Sequence, residues 1–161
     1  NNNNNNNSAL AIGDTHQGGI IFYLDGNGGG LIAAPSDQDS LLEWGCNLTI
    51  ISGADGAAIG TGAQNTIDIE AACTTTGTAA DICANLTLGG YSDWFLPSKD
   101  ELNEMYINLH QQGLGGFIDD GFWSSTEVDS EFAWGQGFNN GIQYNSGYKE
   151  NVRFVRAVRA F

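Results

Sequence analysis

Residues 121–161 constrain the fold of this chain more than any other part of it. They set Phe122, Trp123, Trp134, Phe138, Arg153, Arg156 and Arg159 between short stretches of Gly, Asn, Ser, Asp and Tyr. Short alternating or aromatic-rich runs, punctuated by turn formers, argue for sheet and turns here. The final run, Val152-Arg153-Phe154-Val155-Arg156-Ala157-Val158-Arg159-Ala160, is β-branched and predicts a strand. Its even-numbered residues share one face, apolar except at Arg156. A guanidinium on a buried face needs a carboxylate or carbonyls, so Arg156 is expected to have a fixed partner and a structural role.

Upstream, the clearest local signal is Ser98-Lys99-Asp100-Glu101, a capping box, followed by Leu102, Met105, Tyr106 and Leu109 at spacings of three and four. A helix over 98–112 follows, ended by Gly113, Gly115 and Gly116. Two shorter helices are expected at 66–73 and 78–88, after a Gly/Ala/Thr-rich stretch, 52–66, that reads as a loop. Near the start, the apolar runs 18–24 and 31–34 flank Asp25-Gly26-Asn27-Gly28, which predicts a hairpin. These glycines do not cradle phosphate, because they open no helix and run into Leu-Ile-Ala-Ala-Pro. The fold class is therefore α+β.

With 161 residues and 41% hydrophobic content, the chain is expected to form one domain over 9–161, burying roughly 70% of its unfolded surface. Residues 1–8, mostly Asn, read as a low-complexity linker outside the fold. Nineteen acidic residues against five basic ones give a net charge of −14, which disfavours nucleic acid and anionic lipid as partners. No apolar run reaches the roughly 18–20 residues that span a bilayer and no signal peptide is visible, so a soluble chain without membrane insertion is expected.

Catalytic and metal chemistry find little footing. There is no Gly-x-Ser-x-Gly, and neither His16 nor His110 sits in a nucleophile-activating context. Asp119, Asp120, Glu127, Asp129 and Glu131 cluster in sequence, but in so acidic a chain they read as a solvated loop rather than a catalytic pair. Zinc spacing is absent. Calcium remains open, although Asp25-Gly26-Asn27-Gly28-Gly29 lacks the later carboxylates of an EF-hand loop. Of three cysteines, Cys73 and Cys83 close a short loop and are the expected disulfide, with three buried thiols as the alternative.

What remains is recognition. Trp123, Trp134 and Phe138 are expected to anchor the core. Val128, Asp129, Ser130, Phe132, Gly135, Gly137, Asn139, Asn140, Ile142, Tyr144, Asn145, Ser146, Gly147, Tyr148 and Asn151, within 123–154, show no period that would bury them. Rigid aromatics among Ser, Gly and Asn suit an adaptable binding surface, and these residues are the candidate ligand-binding set.

The motifs IGD (12–14), GGIIFY (18–23), GYSDWFLPSKDEL (90–102), FWSS (122–125) and VRAVRAF (155–161) resemble the Lcl C-terminal domain family, named for a collagen-like bacterial adhesin. The C-terminal part also resembles the variable proteins of diversity-generating retroelements. That resemblance implies a C-type lectin-like fold, in which the first strand (18–24) pairs with the last (152–160). It also implies an extracellular setting on a bacterial surface, pilus or phage fibre. Adenine randomisation of Asn codons in those systems reaches the candidate residue types, whereas Trp134, Gln136, Gln143 and Lys149 are unreachable and would be framework. The implied function is noncatalytic, cofactor-free recognition of a protein or glycan receptor, compatible with a homo-oligomer such as a trimer. The alternatives are a dedicated carbohydrate-binding adhesin or, sharing the broad fold, an enzyme of the formylglycine-generating type.

Overall fold

The computed structural model describes residues 9–161, so the Asn-rich segment falls outside it. Strand β1 (Thr15–His16) precedes the expected hairpin, β2 (Gly19–Leu24) and β3 (Gly30–Ala33), which pair antiparallel with Ile21 opposite Ile32. Asp25 closes the turn, its Oδ1 accepting from the amides of Asn27 and Gly29 at 2.7 and 3.0 Å. That carboxylate is spent on the loop it belongs to.

Strand β4 (Asp39–Glu43) leads through a long loop to helices α1 (Gly62–Ala72) and α2 (Ala79–Ala84), and then α3 (Lys99–Asn108) with a 3-10 turn at His110–Gln112. Helix α1 starts four residues before its expected position. Its first turn hides in a glycine, and a Cβ at Gly62 would sit 2.2 Å from Glu101 Oε2. Its buried face carries Asn65 and Thr66 beside Ile69, which blurs the apolar period. Helix α3 begins where the capping box puts it: Ser98 Oγ accepts from the Glu101 amide at 3.3 Å and the Ser98 amide donates to Glu101 Oε2 at 2.7 Å. Glu101 also accepts from Gly60 and Gly62. It is fully buried, and desolvation raises its carboxyl pKa against those amide bonds.

The remaining strands are β5 (Gly121–Glu127), β6 (Phe132–Gly137), β7 (Gln143–Tyr148), β8 (Val152–Val155) and β9 (Val158–Ala160). Two sheets result, β1-β2-β3-β9 and β4-β8-β5-β6-β7, antiparallel except where β5 meets β8. The expected pairing of the first and last strands is displaced by one: β3 lies between β2 and β9, pairing Leu31 with Ala160. The last strand is also two strands. It changes sheets at Arg156-Ala157, so burial runs unbroken from Val155 to Arg159 instead of alternating.

Arg156 has the partner its position demanded. Its Nε donates to Asp37 at 2.7 Å, Nη1 donates to the carbonyls of Ala34 and Gly115, and the guanidinium lies 4.0 Å over Phe117. Burial lowers its pKa and raises that of Asp37, while their mutual attraction opposes both shifts.

The disulfide joins Cys46 to Cys73, Cα atoms 5.7 Å apart, and corrects the Cys73–Cys83 expectation. Cys83 lies on the buried face of α2, where its thiol is free and pushed up in pKa by desolvation. Two left-handed residues, Gly45 (φ 99°) and Cys46 (φ 48°), turn the loop after β4 back toward the end of α1. Nearness in sequence was the wrong guide.

Candidate functional site

The hairpin β6–β7 organises the candidate residues into two ends joined by an edge strand. At one end are the β5–β6 loop, with Val128, Asp129 and Ser130, and the turn after Tyr148. At the other is the tip carrying Asn139, Asn140 and Ile142. Six-residue strands separate these ends by roughly 17 Å. Asn145 and Ser146 lie exposed on β7 between them.

Burial divides the set. Ile142 (60%), Tyr148 (49%) and Val128 (38%) are the exposed large apolar members. Asp129, Asn139, Asn140 and Asn151 are exposed, while Ser130, Phe132 and Tyr144 are half-buried. Gly135, Gly137 and Gly147 are buried, against the expectation. They are flat spots rather than contact points: a Cβ at Gly135 would meet the Tyr144 ring at 2.6 Å, and one at Gly147 the Trp123 ring at 2.6 Å. At Gly137 it would crowd the side chains of Asn139 and Asn140. Residue type alone did not reveal that Gly135 and Gly147 face other strands and Gly137 its own turn.

Tyr144 is likewise more framework than display. It packs over Gly135, and the Arg153 guanidinium stacks between its ring (4.7 Å) and that of Trp123 (4.9 Å). Desolvation raises its phenol pKa, with Arg153 opposing. Phe132 stacks on Tyr148, centroids 4.5 Å apart, across a directly opposed strand pair. Trp123 and Phe138 are buried anchors as expected, but Trp134 is half-buried, with the Lys99 ammonium 4.6 Å over its ring.

The loops are held by their own polar atoms. Asp129 Oδ1 accepts from the amides of Glu131 and Phe132 at 2.8 and 2.9 Å, and Asn140 Oδ1 accepts from Ile142 at 2.9 Å. Behind the hairpin, Gln136 donates to Asn103 and Gln143 to the Lys99 carbonyl, both 2.8–2.9 Å, which ties β6 and β7 to α3.

Glu127, expected in a solvated loop, is buried and ion-paired. Lys149 Nζ lies 2.5 Å from its Oε1, donates to the Thr49 carbonyl at 2.7 Å and sits 4.7 Å over Trp44. The carboxylate also accepts from the Ile51 amide. Asp119 instead faces His110 at 3.2 Å on the surface. Among the described residues no cluster of His, Cys, Asp and Glu is arranged to hold a metal ion, and no helix is long and apolar enough to cross a membrane.

A fimbrial protein from Bacteroides ovatus ATCC 8483 has a similar structure, with TM-score 0.57 and 14% identity. The likeness is one of fold, and it covers 80% of this chain but 35% of that one. No curated protein matches. Residues 35–159 match the Lcl C-terminal domain family, and the chain belongs to that family.

Proposed function

We propose that residues 9–161 form one noncatalytic, cofactor-free recognition domain of C-type lectin-like type. It displays the ends and outer strand of the β6–β7 hairpin to a protein or glycan receptor outside the cell. The observation that carries this reading is the contrast between exposed Val128, Ile142 and Tyr148 and the fixed framework on which they stand. A few apolar anchors supply most of the affinity of such faces. Family membership and the fold shared with a fimbrial protein support placement on a bacterial surface or pilus. The exposed positions Asn139, Asn145 and Ser146 are those at which diversification would alter the ligand without altering the fold.

The test is a Val128→Ser/Ile142→Ser/Tyr148→Ser variant, screened beside the unaltered domain on immobilised glycan and surface-protein arrays. Surface substitutions of this kind leave stability within about 0.5 kcal/mol each, so the melt is expected to hold while array binding is lost. Undiminished binding by the folded variant would refute the reading.

A further inference from the structure

The two most exposed large apolar side chains among the described residues are not in the hairpin at all. Leu48 is 71% and Ile50 69% exposed, in the loop between β4 and α1. This exposure is not looseness. Cys46 is tied to Cys73, the Thr49 carbonyl accepts from Lys149 Nζ, the Ile51 amide donates to Glu127, and Asn47 Nδ2 donates to Glu150 at 3.1 Å. Cys46 and Leu48 both hold left-handed φ, 48° and 66°, a conformation kept by non-glycine residues only where the surroundings over-determine it.

Those same anchors join the loop to the hairpin face. Lys149 is flanked by Tyr148 and Glu150, and Glu127 is followed by Val128. Leu48 and Ile50 flank Thr49, Val128 follows Glu127 and Tyr148 precedes Lys149, so all four are chain neighbours of residues in one buried network, with Phe132 stacked on Tyr148. Asp129, Glu131 and Glu150 are exposed beside them, and the only basic side chain there, Lys149, is buried and neutralised. An apolar centre inside a charged border is the anatomy of a protein interface, and a border of one sign selects the opposite sign in its partner.

We propose that loop 46–51 is a fixed half of the recognition face, and that the partner is a protein surface with an apolar centre bordered by Lys and Arg. This rests on the reading of the hairpin end as a binding surface. Net charge of −14 favours the same partner at long range.

Two synthetic peptides test it, each with a Phe-Leu-Trp centre, one flanked by lysines and one by glutamates. The lysine-flanked peptide is expected to bind, measured by fluorescence anisotropy, and to weaken as salt rises, whereas the glutamate-flanked one does not bind. Leu48→Ser/Ile50→Ser should weaken binding about tenfold or more with an unchanged melt. If that variant binds like the unaltered domain while Val128→Ser/Tyr148→Ser does not bind, the loop is not part of the face and the inference falls, but the proposed function stands. If neither variant changes binding, the hairpin reading falls as well. Equal binding of both peptides, or binding of neither, overturns the basic-partner assignment.

Discussion

Replacing Lys149 by Met keeps the length of the side chain and removes its charge, in a place water does not reach. The Lys149 and Glu127 side chains are 0% and 5% exposed. The substitution leaves the Glu127 carboxylate with the Ile51 amide as donor, and the Thr49 carbonyl without the ammonium. Removing one partner of a buried ion pair costs about 3–5 kcal/mol, because the surviving charge stays desolvated and uncompensated. For a domain of this size each kcal/mol moves Tm by about 2–4 °C, so a fall of roughly 6–20 °C is expected. Adding Glu127→Gln removes the orphaned charge and keeps an acceptor for Ile51. The double variant should therefore be more stable than Lys149→Met alone, and the two substitutions should be non-additive by a coupling of about 0.5–3 kcal/mol. Denaturant titrations of the four proteins, with slopes compared to check that each still unfolds in two states, measure this cycle. A Lys149→Met protein within 1 kcal/mol of the parent, or a double variant no better than the single, would refute the argument. Glu127 would then be hydrated, and the pair could not be what fastens loop 46–51 to the hairpin.

Alkylation without reductant should label nothing in the folded chain and only Cys83 after denaturation, since Cys83 is buried and Cys46 is bonded to Cys73; a Cys73–Cys83 linked peptide would refute this. Cys46→Ser/Cys73→Ser should cost about 3.5 kcal/mol from the chain entropy of a 27-residue separation, read by denaturant melts. Glu101 binds its proton more tightly in the folded chain than at its ordinary value of 4.5. Its contribution is therefore complete below about pH 4.5 and declines as pH rises through the raised value. The parent's stability relative to Glu101→Gln should fall as pH rises through that window, and a relative stability that rises with pH would contradict the burial argument.

Local chemistry was legible in the sequence where a few neighbouring residues decide it. The capping box at Ser98 and Glu101 needs only its own turn, and the β2–β3 hairpin needs only two apolar runs and a turn. Arg156 was legible for a different reason: a cation on an apolar face must be answered, although nothing upstream identified Asp37 as the answer. Decisions made by distant strands were not legible. Glu127 looks like its acidic neighbours until Lys149 and Ile51, on other segments, enclose it. Leu48-Thr49-Ile50-Ile51 has the composition of a buried strand, yet only Ile51 is buried, and no local signal distinguishes it from Leu48 and Ile50.

Gly135, Gly137 and Gly147 show how far the proposed face can tolerate change. Each lies in or at the end of a strand where a Cβ would fall within 3 Å of a neighbouring side chain, two of them against aromatic rings. A side chain at Gly135 or Gly147 would have to move Tyr144 or Trp123, and Trp123 is fixed from behind by its Nε1 donating to the Leu42 carbonyl at 2.9 Å. Overpacking of this kind costs about 1–3 kcal/mol and spreads into the strands. Asn139, Asn145, Ser146 and Tyr148 meet no such limit, because they face solvent while Gln136 and Gln143 hold the hairpin to α3. The same stretch, 121–161, therefore contains two kinds of small or polar residue: those that can be exchanged to alter what is bound, and those whose smallness keeps the hairpin flat enough to present them.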